Sequence, residues 1–591
     1  MIARWVVCAI VGFAWAAETA GAQQTMFPPV RGLREMVAAA NNFEVEAGYR
    51  MLTQGGNAVD AGVAAVLAAA VTEQARFGLG GEMPVLIKMA GKPVISISGV
   101  GTAPARATVE YYRSREPEPW ERPDRMPPIP TQGLRAAILP GVFDGLILAL
   151  RQYGTMSFAQ VAAPAIEYAD AFPMPEEFAR FIFNHREVLA TWPTSRAFFL
   201  PTGAPPRHGE IFRQPHLART LRELAAVERK ARGRRDRKLQ AIRDHFYRGP
   251  LAARFASHSQ ENGGLITFDD MKAFHATEER PLSVTFQGYE VYKTGFWTQG
   301  PVLLQALQLL EGFDLRSMGH NSPAYVHTVT EALKLAFADR DRYYGDPRFS
   351  EIPESTLLSS TYAAERRKLI DSKAASLDHR PGAFGGPLAM PSTATTAGPA
   401  NDTTCVNVVD RFGNAFSATP SGAWLPSVIA GDTGIPFSSR LHSFVLTAGH
   451  ANQIAPGKRP RVTLTPTLVL KDGKEYMALS TPGGDNQDQT LVQVLLNILV
   501  FGMGPQQAVE APRFQTEHYY SSFGFHEFKP GVLLIEGRFP PETVQALEAM
   551  GHRVTVQAAW GNPSAPTVIQ IVDGVLHGGA DPRRGRFIFG R

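Results

Sequence analysis

The pattern of apolar and polar positions divides the chain into a mainly helical first part and a strand-rich last part. Apolar residues recur at helical spacing in several segments between residues 44 and 342, and the segment 58–71 is so rich in Ala and Val that we expect it to be buried. The predicted helices cover residues 44–52, 58–71, 141–152, 158–169, 301–310 and 324–342. Alternation predicts two strands within 84–98, around Gly91, and one strand over 282–292.

A loss of periodicity marks the boundary between the two parts. Ala, Gly, Pro, Ser and Thr dominate residues 373–402, which predicts a flexible, exposed segment. Strand patterning follows at once. It predicts hairpins over 404–419 and 462–481, a helix over 490–501 and strands over 554–558, 566–572 and 575–578. Hairpins followed by helices predict a layered α+β fold.

Composition and charge indicate a folded protein and give little support to nucleic-acid binding. The chain has 591 residues, 44% of them apolar and 19% charged, with a net charge of +4. This length suits several domains or one large layered domain with insertions. The basic run RKARGRRDRK at 229–238 could contact nucleic acid, but no nucleic-acid-binding signature accompanies it, and a solvated helix face or loop is the simpler interpretation.

The N-terminus has the features of a secretory signal. Arg4 precedes an apolar run over 5–17, and Ala20-Gly21-Ala22 then resembles an A-x-A cleavage site. The run is short for a membrane span, so we expect a signal peptide over 1–22, no stable membrane anchor, and export, to the periplasm if the source is Gram-negative. An uncleaved anchor is the alternative. Cys8 would leave with the signal, so Cys405 would remain alone and could form no intrachain disulfide.

The junction between the irregular segment and the first strand carries the candidate chemistry. Thr403 and Thr404 begin this strand, and strand propensity alone is a sufficient reason for two threonines there. A hydroxyl becomes a nucleophile when a base takes its proton, and a free α-amine, with a pKa of about 7.7–8.0, suits that role. Cleavage of the Asp402–Thr403 bond would create nucleophile and base together. This candidate is preferred to Cys405, which lies within an apolar strand pattern.

An N-terminal nucleophile also needs donors for the oxyanion. Thr481-Pro482-Gly483-Gly484 ends a predicted strand shortly before a predicted helix, and glycines let the backbone approach a substrate closely. An ordinary strand-to-helix turn would have the same composition. We therefore treat Gly483 and Gly484 as candidate oxyanion donors.

Several motifs, taken in order, resemble the γ-glutamyltranspeptidase family of N-terminal-nucleophile hydrolases over nearly all of the mature chain. They are GGNAVDA at 55–61, PGV at 140–142, YGT at 153–155, PAI at 164–166, EALKLAFADR at 331–340, GDP at 345–347, TT at 403–404, GKRP at 457–460 and PGG at 482–484. The resemblance implies a four-layer αββα sandwich built from a large subunit, 23–402, and a small subunit, 403–591, which remain associated after self-cleavage. It implies that Thr403 carries the acyl group, that Ser421 bonds to the nucleophile, and that no metal or cofactor is needed.

Positions that recognise the γ-glutamyl group in the family differ here. Val100 stands where the family has the Arg that binds the substrate carboxylate, and His442 and Ser443 stand at the position of an Asp. Thr463, with Val462, replaces paired serines, whereas Asp432 keeps an acidic side chain in place of Glu. Arg461 and His442 could read a different anion or could be solvated.

These departures favour a small-molecule amide substrate with another acyl group, because each lost charged hydrogen bond costs roughly 1.5–3 kcal/mol. Cephalosporin acylases and oxamate amidohydrolases belong to such branches of the family. We therefore expect a secreted, self-processing Thr-nucleophile amide hydrolase. The alternatives are a genuine γ-glutamyltransferase or glutathione hydrolase and a non-catalytic secreted binding protein.

Overall fold

A computed structural model describes residues 25–384 and 403–591. The signal-peptide prediction, Asp402 and the larger part of the predicted flexible segment lie outside the described residues. Residues 373–384 form neither helix nor strand, yet their backbone is held: the N–H of Ala375 donates to Met550 O at 2.7 Å, and that of Gly382 donates to Asp339 Oδ1 at 2.7 Å.

Two seven-stranded sheets form the centre of the molecule. The strands are β1 (Val30–Gly32), β2 (Met36–Ala39), β3 (Met83–Lys88), β4 (Val94–Gly99), β5 (Phe172–Pro173), β6 (Ile211–Phe212), β7 (Thr277–Glu279), β8 (Leu282–Phe286), β9 (Tyr289–Lys293), β10 (Val406–Val409), β11 (Ala415–Ala418), β12 (Thr467–Lys471), β13 (Lys474–Ser480), β14 (Phe514–Thr516), β15 (Val532–Glu536), β16 (Arg553–Gln557), β17 (Thr567–Val572), β18 (Val575–Ala580) and β19 (Phe587–Gly590). One large sheet has the order β1-β18-β17-β13-β12-β9-β8 and the other β19-β2-β10-β11-β3-β4-β7, while β14-β15-β16 and β5-β6 form smaller sheets.

Helices cover the outer faces of the two large sheets. The α-helices are Asn42–Thr53, Ala58–Thr72, Val109–Arg113, Val142–Tyr153, Phe158–Asp170, Glu176–Thr191, Pro193–Phe199, Pro215–Lys230, Arg235–Tyr247, Pro250–Glu261, Phe268–Ala273, Pro301–Leu310, Leu315–Met318, Pro323–Tyr343, Glu354–Leu357, Ser360–Arg367, Gln487–Leu499, Pro505–Glu510 and Pro541–Ala549. Ala58–Thr72 packs on β10 and β11, and Gln487–Leu499 packs on β13.

Alternate residues along each strand face opposite sides of the sheet, so each large sheet packs on helices with one face and on the other sheet with the second. In β2, Val37 and Ala39 face the helices that cover this sheet, whereas Met36 and Ala38 face the other sheet. Leu468 and Ala478 meet them from the opposite side, while Val469 and Leu479 pack on the helices beyond. Both faces of each sheet are therefore buried, and the chain forms the predicted α+β, four-layer αββα sandwich.

Both large sheets combine strands from the two sides of residues 385–402. β10 and β11 lie between β2 and β3 in one sheet, and in the other β12 pairs with β9. Each side therefore supplies backbone partners and core residues to the other, so separating them would break both sheets.

The predicted elements compare closely with those observed, with one clear error. Helix 58–71 is observed as Ala58–Thr72, and the hairpin over 404–419 as β10 and β11, which pair Val406 with Ala418. The single strand predicted over 282–292 is wrong. Gln287 and Gly288 both have positive φ, 47° and 82°, and turn the chain into the hairpin β8–β9.

The basic run at 229–238 spans the end of one helix and the start of the next. Gly233, with φ of 107°, separates them, and Arg235 donates to the carbonyls of Met156 and Leu150 at 2.8 and 2.6 Å. Arg235, one of the basic residues of this run, therefore links the helix Arg235–Tyr247 to the segment around residues 150–156 through hydrogen bonds. Within residues 25–384 and 403–591, no helix has the length and apolar character required to cross a bilayer.

Candidate active site

Thr403 lies three residues before β10 and beside Ser421. The two residues form an antiparallel bridge, the N–H of Thr404 donates to Pro420 O at 3.0 Å, and the hydroxyl oxygens of Thr403 and Ser421 lie 3.3 Å apart. Both side chains are buried, Thr403 at 2% exposure and Ser421 at 0%. The fold thus brings together the two hydroxyls that the sequence placed 18 residues apart.

Gln487 contacts the Thr403 hydroxyl from the other side. Its carboxamide lies 3.2 Å from Thr403 Oγ1. In the orientation that satisfies both of its ends, the nitrogen donates to the carbonyls of Thr463 and Thr481, each at 3.1 Å, and the oxygen accepts from Thr403. Because Gln487 is the first residue of helix Gln487–Leu499, Thr403 lies at the N-terminal end of a helix, where backbone N–H groups favour negative charge.

Gly483 and Gly484 form the turn that connects β13 to this helix. Their φ angles are 127° and 57°, which favour glycine, and Gly484–Asn486 forms a 3₁₀ turn. A Cβ on Gly483 would lie 2.1 Å from Ser564 Oγ, which itself accepts from Asn486 Nδ2 at 3.0 Å. The backbone therefore requires glycine at residue 483, and both glycines line a cleft of about 800 Å³.

Asp485 fixes this turn through buried charge-assisted hydrogen bonds. Its carboxylate accepts from Arg340 Nη1 at 2.5 Å and from the N–H and hydroxyl of Ser522 at 2.9 and 2.5 Å. Arg340 also pairs with Asp341, whose pKa is held well below its usual range, against the effect of burial, by Arg340, His379 and Arg461. The motif EALKLAFADR at 331–340 thus supplies the cation that holds the glycine turn in place.

Arg440 and Glu82 lie beneath Ser421. Glu82 and Ser421 exchange backbone hydrogen bonds, with the N–H of Ser421 donating to Glu82 O at 2.9 Å and that of Glu82 donating to Ser421 O at 3.0 Å. Arg440 Nε donates to Glu82 Oε1 at 2.5 Å, and Arg440 Nη2 donates to Ser421 Oγ at 3.2 Å. Because a guanidinium only donates, the Ser421 hydroxyl accepts from Arg440 and can donate to Thr403.

The candidate substrate residues lie in several different places. Val100 is buried in an apolar cluster with Trp297, Val462 and Leu464. Thr463 contributes its carbonyl to Gln487, and its buried hydroxyl bonds to no residue in the described ranges. Asp432, with a side chain 53% exposed, pairs with Arg219 at 2.9 Å and is not part of the group around Thr403.

His442 and Ser443 follow Arg440 in one 3₁₀ turn. His442 Nδ1 accepts from the N–H of Gly524 at 3.1 Å, and burial, with Arg440 and His526, holds its pKa well below the usual value, so it is neutral. The carbonyl of Ser443 accepts from Asn452 Nδ2 at 2.6 Å. Arg461 donates to Arg340 O at 3.2 Å and therefore belongs to the network around Asp485.

Two other places in the molecule hold side chains that could in principle react or bind a metal, namely Cys405 and a His–Glu–His group, and the neighbours of each favour a structural function. Burial raises the pKa of the Cys405 thiol, which is fully buried near Thr567, so it is a poor nucleophile. Among residues 25–384 and 403–591, His327, Glu331 and His552 form a group whose spacing could suit a metal ion. Lys334 and Arg380 donate to Glu331 at 2.6 and 3.1 Å, so cationic side chains already bind its carboxylate.

Sequence reasoning missed Gln487, Glu82, Asp485 and the function of Arg440. Gln487 follows Gly484 by three residues and begins the next helix. This position could have been found from the sequence, because a side chain at a helix N-terminus lies close to any group that binds there. Glu82 and Arg440 are 358 residues apart, and neither has a local pattern that indicates its contact.

The αββα sandwich, with this group of polar side chains at one helix N-terminus, is the architecture of N-terminal-nucleophile hydrolases. The model of the family described as Gamma-glutamyltranspeptidase matches residues 45–590. The chain is similar to the glutathione hydrolase proenzyme of Escherichia coli (strain K12), with 33% identity over 580 residues that cover 95% of this chain and 93% of that protein. It is also similar to the acylase ACY 1 proenzyme of Pseudomonas sp. (strain SE83), with 32% identity over 530 residues that cover 89% and 88%.

A solved structure agrees with these matches. The crystal structure of cephalosporin acylase from Bacillus halodurans aligns with a TM-score of 0.82 and 27% identity, over 97% of this chain and 98% of that one. The chain therefore belongs to the γ-glutamyltranspeptidase family and is an enzyme of that family.

Proposed function

We propose that this protein is an exported precursor that cleaves its own Asp402–Thr403 bond, and that Thr403 then acts as the nucleophile of an amide hydrolase. The observation that carries the proposal is the position of Thr403 Oγ1, between Ser421 and Gln487 at the N-terminus of the helix that follows Gly483 and Gly484. The names of relatives support the processing step, because the E. coli and Pseudomonas proteins are both called proenzymes.

The geometry supports a two-step acyl transfer. The free α-amine of Thr403 takes the hydroxyl proton while Oγ1 attacks the amide carbon, and the N–H groups of Gly483 and Gly484 stabilise the oxyanion. The C–N bond then breaks, and the departing amine takes the proton. Water, or an acceptor amine, then attacks the ester carbon, the bond from that carbon to Oγ1 breaks, the acid or the new amide leaves, and Oγ1 regains a proton from the attacking group. Apart from the water or the acceptor amine, this chain supplies every catalytic group, and the mechanism needs no metal or cofactor.

Processing has a direct test. Purified protein should give two bands of about 40 and 20 kDa from the 64.4 kDa chain, and Thr403 should be the first residue of the smaller one. Because both sheets contain strands from each side of the cut, the two fragments should elute together in gel filtration and separate only in denaturant. Active protein with the 402–403 bond intact in mass spectrometry would contradict the mechanism. A chain that stays uncut and hydrolyses no amide would favour a non-catalytic binding protein.

The same measurement tests export. Mass spectrometry of the large fragment should find Gln23 as its first residue, with the protein in the exported fraction. A large fragment that begins at Met1 would contradict the proposed signal cleavage.

Within this mechanism, a non-glutamyl acyl group is the better substrate. Val100, at the position of the family's carboxylate-binding Arg, lies in an apolar cluster, and neutral His442 with Ser443 occupies the position of the family's Asp. A γ-glutamyl group would therefore lack the family's Arg for its carboxylate and the family's Asp for its ammonium group, which would lower its affinity by orders of magnitude. The name of the Pseudomonas relative, an acylase, is consistent with this specificity.

Anilide hydrolysis distinguishes this from the alternative, a γ-glutamyl hydrolase or transferase. We expect kcat/KM for γ-glutamyl-p-nitroanilide to be at least about 10²-fold below that for the best short acyl anilide, because about two charged hydrogen bonds are lost. Equal or faster cleavage of the γ-glutamyl substrate, or efficient glutathione hydrolysis, would favour the alternative.

A further inference from the structure

The guanidinium of Arg440 lies next to Ser421 and donates to its hydroxyl. Arg440 is fully buried, and its guanidinium carbon lies 4.2 Å from the centre of the Trp424 ring and 5.8 Å from that of Phe523. Phe523 lines the same cleft as Gly483 and Gly484. The positive charge therefore lies between the hydroxyl of Ser421 and the ring of Phe523, which lines the cleft.

One end of this guanidinium has no acceptor. Nε bonds to Glu82 and Nη2 bonds to Ser421, whereas no residue within 25–384 and 403–591 accepts from the buried Nη1. Burying a cationic donor without an acceptor is costly, and this one belongs to a guanidinium bonded to Ser421, where an oxygen of a bound acyl group can complete it. The separation of 3.2 Å to Ser421, and of a further 3.3 Å from Ser421 to Thr403, sets Arg440 two hydrogen-bond lengths from the nucleophile.

We propose that Arg440 is the specificity-determining residue of this enzyme and that its Nη1 binds a second oxygen of the acyl group, either a carbonyl or a carboxylate oxygen, a few bonds from the scissile carbon. The proposal rests on the proposed function, because it assumes that the acyl group is attached to Thr403. Arg440 would thus supply a cation that binds an oxygen of the acyl group, in a site where Val100 replaces the Arg that binds the carboxylate in the family. The substrate class is then a short acyl amide with a second oxygen acceptor.

The surrounding charges define what this acceptor can be. Glu82 already balances Arg440, and Asp485, the other acid close enough to influence Arg440, is bonded to Arg340 and Ser522. A carbonyl oxygen adds no charge to the pair, whereas a carboxylate would leave a buried net negative charge unless Glu82 takes a proton. Burial raises the pKa of Glu82 despite the opposing effect of Arg440, which makes that proton uptake easier.

Matched acyl anilides test the proposal on the self-cleaved enzyme. One set contains propionyl, pyruvyl and oxalyl p-nitroanilides, and a longer set contains pentanoyl, levulinyl and succinyl p-nitroanilides. In each set the first compound lacks a second acceptor, the second has a carbonyl and the third a carboxylate. We expect the wild type to prefer an acceptor-bearing member of one set by at least about 10-fold in kcat/KM, and Arg440→Gln to reduce that preference about 10-fold or more.

The ratio separates recognition from support of Ser421. If Arg440 acted only through Ser421, Arg440→Gln would lower kcat/KM for all members of a set equally, and an unchanged ratio would overturn the inference while leaving the proposed function intact. A wild type that prefers the members without a second acceptor would overturn it as well. If the wild type cleaves none of the anilides and does not self-cleave, the proposed function itself fails.

A second variant keeps the test decisive if Arg440→Gln does not fold or process. Glu82→Gln preserves size and leaves Arg440 uncompensated, so it should increase the preference for the carboxylate member over the carbonyl member by about 10-fold. An unchanged ratio between these two members in Glu82→Gln would contradict binding at Arg440.

Discussion

Thr403→Ala should remain a single chain, uncut between residues 402 and 403, and should lower turnover by about 10⁴-fold or more. The hydroxyl oxygen that lies 3.3 Å from Ser421 and 3.2 Å from Gln487 is removed, so neither the 402–403 bond nor a substrate amide meets a nucleophile. Gel electrophoresis after long incubation and anilide hydrolysis measure the two effects. The fold should persist, because the substitution removes few atoms from a position that keeps its strand bridge.

Two further substitutions make this result specific. Thr403→Ser keeps the hydroxyl and should still process and turn over, more slowly. Thr404→Ala removes the neighbouring buried hydroxyl, which bonds to no residue in the described parts of the chain, and should process normally. Normal cleavage of Thr403→Ala, or failure of Thr404→Ala to the same degree, would show that the nucleophile is elsewhere.

Gly483→Ala should lower kcat by about 10²- to 10³-fold, the usual cost of losing one oxyanion donor. The new Cβ would lie 2.1 Å from Ser564 Oγ, and the φ of 127° is unfavourable for alanine, so the turn must move and carry its N–H groups with it. Steady-state kinetics with the best anilide measures the effect. KM should change much less than kcat, because the donors act mainly on the oxyanion of the transition state.

Gly473→Ala is the matched control for this variant. Gly473, with φ of 72°, turns the β12–β13 hairpin and has open space where a Cβ would be added. Its substitution should cost about 1 kcal/mol of stability, through backbone strain alone, and leave kcat unchanged. If Gly483→Ala and Gly473→Ala lowered the melting temperature equally and neither affected kcat, Gly483 would have no catalytic function.

Much of the fold could be predicted from the chain because its elements have strong local signals. Helix Ala58–Thr72 begins at an Asn57–Asp60 capping box and is otherwise built almost wholly of Ala, Val and Leu, so its bounds and burial were both predictable. The strand 282–292 shows where local reasoning fails. Alternation continued across Gln287-Gly288, and the positive φ of Gln287 became evident only in the pairing of β8 with β9.

The candidate site could be predicted only in part. Thr403 and the glycine pair each lie in a recognisable motif, and Ser421 was implied by the family resemblance; the fold brings Ser421 and Gln487 to Thr403. Asp432 was singled out for its acidic side chain, yet it is exposed and paired with Arg219. Local sequence does not show which charge is buried and which is solvated, and that distinction decides whether a charged group can recognise a substrate.

The sequence by itself determined the layered α+β class, the order of the helices and hairpins, and the threonine at the start of a strand, because these depend on residue periodicity and chain order. Only the tertiary structure decided what surrounds that threonine. Gln487 and Ser421 contact it, Arg440 reaches Ser421 from beside Glu82, and Arg340 holds Asp485. These contacts join segments far apart in the chain, and they form only when two sheets and their helices bury the polar groups together, since burial is what requires each group to find a partner.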